Sequence, residues 1–252
     1  MSSPGSFKHR PLTAASLSAE DHGPGTLYFA YGSNLSPTQM TIRCTSTPER
    51  SGQPIAIARL HGWKWFICER GCANVAYTGN VGRLEAEDGP KVDASGGDEV
   101  WGVLYNMSIE DEETLDRYEH VDWSAPEAEP SKESSNEISS DGRGFQSLLV
   151  MARPNEQGTG HHNKVYVNAE IVEWKIKGWR DQQQDLRWAR VLVYVDEYRI
   201  TEGAIRENYI GRMNRGIKEA VTLGLSKEWV EKVVRPQVPD GIDALEGFVG
   251  VI

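Results

Sequence analysis

The sequence predicts an α+β fold: a small mixed β-barrel, closed or nearly closed, with flanking helices, in a single domain. Three observations carry that expectation. Short apolar, aromatic-rich runs that stop at turn residues read as strands, and they dominate the first half of the chain. Helical signatures are inserted and appended rather than alternating strictly with strands, which is not the pattern of a parallel βαβ sheet. Near the C-terminus Ile205, Tyr209, Met213, Ile217 and Val221 recur every four residues, giving one apolar stripe for a helix to lay on the sheet.

Leu27 to Tyr31 is the first strand, and Gly32-Ser33-Asn34 is the turn that ends it. Gly32 suits a backbone conformation closed to other residues, and successive amides of such a turn form a small anion-binding concavity. Taken alone, the stretch also describes an ordinary strand-to-loop junction. Ser36 and Pro37 open a short helix. Ile55 to Ile67 is strand material, with Trp63, Trp65 and Ile67 alternating, and Asn74 to Tyr77 is a shorter strand. A loop rich in Gly and acid, 79–97, leads to the clearest internal strand, Asp98 to Tyr105. Gly102 within it signals a bulge or a close backbone approach. Ser108 caps a helix from Ile109, with Asp111 at the capping-box position and Leu115, Tyr118 and Glu119 on its inward side.

From Ser124 to Gly144 the chain carries six serines, five acids and no aromatic residue, and reads as a solvated insertion. Phe145 to Ala152 is a strand or short helix belonging to it, and Arg153 to Lys164 is a further polar stretch. The insertion as a whole runs over about 124–164. Val165 to Ile176 and Val191 to Val195 are strands, separated by the polar segment 178–187. After the striped helix, Ser226 caps another, with Trp229, Val230 and Val233 inward and Pro236 stopping it. The domain thus covers 26–240, between a disordered tail, 1–25, and a tail without clear period, 241–252.

Composition narrows the function classes. Hydrophobic content is 38% over 252 residues, low enough to leave part of the chain solvated. A net charge of −10 argues against nucleic acid or an anionic membrane as partner. No apolar run approaches a membrane span, and the N-terminus lacks the apolar core of a signal peptide. Cys44, Cys68 and Cys72 make no disulfide framework, so a reducing cytosol is the default compartment.

Cys68-x-x-x-Cys72 has no second ligand pair at metal-binding spacing, and His161-His162 reads as a solvated loop dipeptide. Ser33 is not in a Gly-x-Ser-x-Gly setting, and no phosphate-binding or dinucleotide glycine pattern occurs. Glu119 stands apart. Burial and a helix C-terminus both favour the protonated form of a carboxylate, the setting a proton shuttle near neutral pH requires. A surface glutamate at a frayed helix end has the same periodicity.

In combination these segments resemble one family. Tyr28-Phe29-Ala30-Tyr31-Gly32-Ser33-Asn34-Leu35 resembles the N-terminal signature of the γ-glutamylcyclotransferases. Gly97-Asp98-Glu99-Val100-Trp101-Gly102-Val103 is similar to that family's central strand, and Leu115-Asp116-x-x-Glu119 follows at the family's spacing. Three motifs in order are more specific than any one of them. The resemblance is clear over about 27–121, resumes more faintly at 166–176, and returns from 191 to about 239.

The resemblance implies an enzyme of lyase or acyltransferase type that cyclises a γ-glutamyl group to 5-oxoproline and releases the attached amine. Glu119 matches the catalytic glutamate. Tyr28, Phe29, Ala30, Tyr31, Gly32, Ser33 and Asn34 match the substrate cradle. Tyr209, before a turn at Met213-Asn214-Arg215-Gly216, and Tyr166 match substrate-site tyrosines; the period-four stripe also describes Tyr209 as a core residue. No metal or organic cofactor is implied. The implied partner is a small γ-glutamyl substrate, and a homodimer is compatible with the reading.

Three functions follow. One is a general cyclotransferase acting on γ-glutamyl amino acids. Another is the same chemistry on a larger thiol adduct, as in fungal members that process glutathione-derived intermediates of gliotoxin-type secondary metabolism; Trp123, Trp174, Trp179 and Trp188 would then shape a larger apolar pocket. The last is a catalytically silent binding module of the same fold.

Overall fold

Five strands close into a barrel in the order β1-β5-β2-β6-β7 in the computed structural model, which describes residues 25–79, 98–129, 151–176 and 187–241. The strands are β1 (Thr26–Ala30), β2 (Pro54–His61), β5 (Glu99–Met107), β6 (Asn163–Trp174) and β7 (Trp188–Val195). All neighbours are antiparallel except β1 and β7, which meet in parallel at Tyr28 and Leu192 and make the barrel mixed. Closure leaves no free edge on this sheet, which removes the usual template for strand-to-strand aggregation. The α+β expectation therefore holds. The two expected tails and the expected loop at 79–97 lie largely outside the described residues, as do most of the serine-rich insertion and Trp179.

Ile55 to Ile67 is two strands. Gly62, at φ 76°, breaks it, and β3 (Trp63–Ile67) leaves the barrel to pair with β4 (Ala73–Tyr77) in a separate hairpin. The alternation is real on both sides of Gly62, so periodicity could not reveal the change of sheet. Gly102 marks a close approach and not a bulge. The β2–β5 register runs straight through it, and a Cβ there would lie 2.5 Å from both the Ala30 carbonyl oxygen and Phe29 Cζ. That contact fixes the role of Phe29 as a core ring packed over the Gly102 backbone.

Helices cover the ends and outside of the barrel: α1 (Pro37–Arg43), α2 (Pro48–Ser51), α3 (Ile109–Tyr118), α4 (Glu207–Thr222) and α5 (Lys227–Trp229), the last continuing as a π-turn over Val230–Val234. Ser36, Ser108 and Ser226 cap their helices as expected, accepting from the N–H groups of Gln39, Asp111 and Trp229. The capping box at α3 is only half formed. Asp111 turns away from the Ser108 N–H and accepts from the Ser46 and Thr47 amides at 2.9 Å, so it pins the chain entering α2 instead. The Met213–Gly216 segment is not a turn but the middle of α4.

The polar stretch after Arg153 also departs from expectation. Ala152 exchanges backbone hydrogen bonds with Tyr166, Gln157 is buried, and His161 and His162 pack against the end of α3. Its polar composition hid a segment several of whose side chains bond within the fold. The Gln157 amide donates to the carbonyls of Gly160 and His161 and to Asp196.

Candidate active site

Three pieces of the chain converge beyond the end of β1. The first is a single 3₁₀ turn, Ser33–Leu35, directly after the strand. Gly32 sits at φ −107° and ψ −142°, outside the ordinary extended and helical regions. A Cβ there would also lie 2.9 Å from the Tyr209 hydroxyl, a second pressure toward glycine. The turn is also less open than its sequence implies. The Leu35 and Ser36 amides close it on Gly32 and Ser33, and the Ser33 N–H donates to Tyr209 Oη at 3.1 Å.

The second piece is the C-terminus of α3. Glu119 is its C-cap, and His120 follows at φ 51°. The Val121 and His120 amides return to the Asp116 and Arg117 carbonyls, a Schellman arrangement normally served by glycine. This abrupt end, one turn past the fully buried Leu115, points the Glu119 side chain inward, where 6% of the residue is exposed. The third piece is 161–162. The His161 N–H donates to the His120 carbonyl, and His162 Nδ1 donates to the Glu119 carbonyl at 3.0 Å. Since a carbonyl only accepts, Nδ1 carries the proton, and that same atom lies 3.4 Å from Glu119 Oε2.

Around the carboxylate every contact is long. Asn34 Nδ2 is 3.2 Å from Oε1, and Arg43 Nη1 is 3.4 Å from it. Asn34 is held in place by others. Its Nδ2 donates to Tyr28 Oη at 2.9 Å, and its Oδ1 accepts from Gln39 Nε2 at 2.8 Å and Arg43 Nη1 at 3.0 Å. Gln39 and Arg43 stand four apart on α1 and so share a face; both are buried. Tyr31 donates to the Tyr194 carbonyl at 2.6 Å, and Tyr194 Oη to Asp116 at 2.5 Å.

Burial sets the protonation of most of these groups. It pushes the phenols of Tyr28, Tyr31 and Tyr194 well above their ordinary range, and Tyr209 up to about 12. It pushes His162 the other way, toward its neutral form, against the opposing pull of Glu119. The pocket therefore presents neutral hydroxyls and an imidazole held toward its neutral form around the Glu119 carboxyl group, with Arg43 buried behind it. It is narrow, about 30 Å³, and is lined by Tyr28, Tyr31, Gly32, Ser33, Asn34, Glu119, His162, Tyr194, Tyr209 and the Cys72–Ala73 edge of the hairpin.

Of the residues singled out in the sequence, Tyr28, Tyr31, Gly32, Ser33, Asn34, Tyr209 and Glu119 share this pocket. Phe29 and Ala30 support it from the core, and Tyr166, on β6, is not among its lining. Sequence reasoning missed Gln39, Arg43, His162 and Tyr194. The first two carried a signal, a polar pair at helical spacing just after the cradle. His162 carried none, because the polar residues around it disguised its burial. A second cavity of about 160 Å³ adjoins, with His162 and Asp116 in its wall and Trp123, Pro154 and Lys164 around it. Trp188 stands elsewhere, its ring 5.6 Å from His61. Among the described residues no cluster of His, Cys, Asp and Glu could hold a metal ion.

Two solved structures are similar to this chain. One is YkqA from Bacillus subtilis, at 18% identity and a TM-score of 0.47, matching 86% of this chain. The chain spans 56% of that protein's length. The other is a γ-glutamyl cyclotransferase specific to glutathione from yeast, at 13% identity and a TM-score of 0.40, matching 84% of this chain and 94% of that one. No protein-family model matches the sequence, and no curated protein sequence does.

Proposed function

We propose that the chain is a γ-glutamylcyclotransferase, converting a γ-glutamyl group to 5-oxoproline with release of the attached amine. One observation carries the reading. The Gly32–Asn34 turn and Glu119, 85 residues apart at Asn34, line one buried pocket, and they are the segments whose motifs resemble that family. The α-amine of the substrate attacks its own γ-carbonyl, so much of the acceleration comes from holding a five-membered ring closure in register. Glu119 takes the proton from the α-amine and returns it to the leaving amine. Its loose contacts leave it the lone pairs to do so, while His162 and Asn34 fix its direction. The cradle amides receive the α-carboxylate or the oxyanion that develops at the γ-carbon.

A pocket of about 30 Å³ has room for roughly one water, so binding requires side chains to move. Tyr209 is the apt one, because its displacement frees the Ser33 N–H for substrate. The adjoining cavity favours a second, narrower reading, in which the leaving amine is larger than one amino acid, as in a glutathione-derived adduct. Trp123, 56% exposed on its rim, offers an apolar face to such a group.

The test is incubation with γ-glutamyl-alanine and, in parallel, glutathione and its S-conjugates, with 5-oxoproline measured directly. Release from the conjugates alone, with Trp123→Ala raising KM for them, supports the narrower reading. Binding of γ-glutamyl compounds without any 5-oxoproline would instead make the chain a binding module.

A further inference from the structure

Cys68 and Cys72 have no part in the chemistry above, yet their placement is specific. Ile67 pairs with Ala73 at the end of the β3–β4 hairpin, so Cys68 and Cys72 are the next opposed positions, flanking the three-residue turn Glu69-Arg70-Gly71. The Cys68 N–H donates to the Cys72 carbonyl at 3.0 Å. The Cys68 carbonyl accepts in turn from the Gly71 N–H at 2.7 Å, closing the turn tightly, and opposed residues of a hairpin have Cα atoms about 4.5 to 5.5 Å apart, within the span a disulfide bridges. Both thiols are buried and interact with one another, and the Cys72 thiol donates to the Arg70 carbonyl at 3.8 Å. The interaction of the two sulfurs holds the Cys68 thiol below its ordinary range and pushes the Cys72 thiol up, which favours Cys68 as the attacking sulfur.

Cys72 lines the pocket beside Tyr209 and Gly32. The turn between the cysteines is tied to the same place by a second route. The Gly71 carbonyl accepts from the Arg206 N–H at 3.0 Å, Arg206 is the N-cap of α4, and the Tyr209 N–H donates to the Arg206 carbonyl at 2.9 Å. Gly71 itself sits at φ 75°, and a Cβ there would lie 2.5 Å from Arg206 Cγ, so this contact has no slack.

We propose that Cys68 and Cys72 form a reversible disulfide, made by hydrogen peroxide or a similarly small hydroperoxide, as a redox-modification site on the wall of the substrate pocket. Of the two, Cys72 lines the pocket, whose water-scale volume brings only a small oxidant up to the cysteine pair and excludes bulky disulfides. The Cys68 sulfur attacks one peroxide oxygen, the O–O bond breaks, and the departing hydroxide takes a proton to leave as water. The Cys72 sulfur, losing its proton, attacks the sulfenic acid so formed; the S–O bond breaks and a second water leaves. A dithiol reductant reverses the step. The loop closed is short, so the bond adds little chain-entropy stabilisation and stays reducible. Drawing Cys72 toward Cys68 shifts the turn that anchors the Arg206 end of α4, and with it Tyr209.

The modification can be tested apart from the cyclotransferase reading, on which only its effect on turnover rests. The reduced full chain is treated with hydrogen peroxide, and its thiols are alkylated in denaturant. Of the three cysteines, only Cys44 should remain alkylatable. Tryptic cleavage after Arg70 should yield two peptides joined until reduced. Hydrogen exchange over 206–210 should quicken in the oxidised form, and any 5-oxoproline release should fall roughly tenfold, the worth of one displaced hydrogen bond. Both effects should reverse with dithiothreitol and be absent in Cys68→Ala. Persistence of all three thiols, or oxidation of one cysteine without the joined peptides, overturns the proposal. So does a disulfide that leaves exchange at 206–210 unchanged.

Discussion

Two buried glutamates at different places on the barrel are held in opposite ways. Glu170, on β6, is saturated. Arg59 Nε reaches its Oε2 at 2.5 Å, His61 Nε2 at 2.6 Å, and Arg187 Nε reaches Oε1 at 3.1 Å. Burial pushes its carboxyl up, but the hydrogen bonds and charges of His61 and Arg59 outweigh that and hold it at about 2. Glu119 is equally buried, yet its side-chain partners stand at 3.2 to 3.4 Å. A carboxylate gripped by short charge-assisted bonds is committed to the fold, whereas one with loose partners keeps lone pairs for a proton in transit. Burial alone does not separate the two; contact length does.

That contrast can be broken at either carboxylate. The largest expected effect is on Glu119→Gln, which should lower 5-oxoproline release by about a thousandfold, the scale of a lost general acid–base group, with little change in melting temperature. Wild-type turnover in this variant would remove Glu119 from the mechanism. Glu170→Gln should do the reverse. It leaves Arg59 and His61 without their carboxylate and should cost about 2 kcal/mol in denaturant unfolding, a figure reduced because Arg59 is partly solvated, with kcat/KM unchanged.

A smaller effect is expected at the cradle. Tyr209→Phe removes the hydroxyl that accepts from the Ser33 N–H, and kcat/KM should change by roughly tenfold or less, the range of one neutral hydrogen bond. A rise would mean that Tyr209 competes with the substrate for that amide; a fall would mean that it contacts the substrate.

The smallest is a pH effect on stability. Burial, with the charges of Arg70 and the neighbouring groups, lowers His161 from 6.5 to about 4. The unfolded chain therefore takes up this proton first, so the stability present above pH 6.5 declines as pH falls through 4. Glu170 adds a second decline between its ordinary 4.5 and about 2. His161→Gln should flatten the first step in a series of urea melts and leave the second.

Much of the site was legible because its signals are local. A strand running into Tyr31-Gly32-Ser33-Asn34, and a capped helix with Glu119 one turn past Leu115, depend on neighbours in sequence, which a linear reading can see. Tyr209 was legible as a buried stripe residue, though not as the partner of the Ser33 amide. His162 was read as solvated because its neighbours are polar, and their partners, the carbonyl ends of α3 and Asp196, lie far away in sequence. Gly32 was legible as a special backbone position, but the hydroxyl from α4 that it also accommodates was not.

The amino-acid order by itself determined the strands, the capped helices, the α+β class and the two motif-bearing segments, since each follows from periodicity and capping chemistry within a few residues. Only the tertiary structure decided that β3 leaves the barrel at Gly62, that Asp111 pins the Ser46 and Thr47 amides, and that His162 closes over Glu119. It also decided which buried glutamate is bound tightly and which is left loose. Those outcomes depend on which distant groups meet when the barrel closes, and distance in space is not written in spacing along the chain.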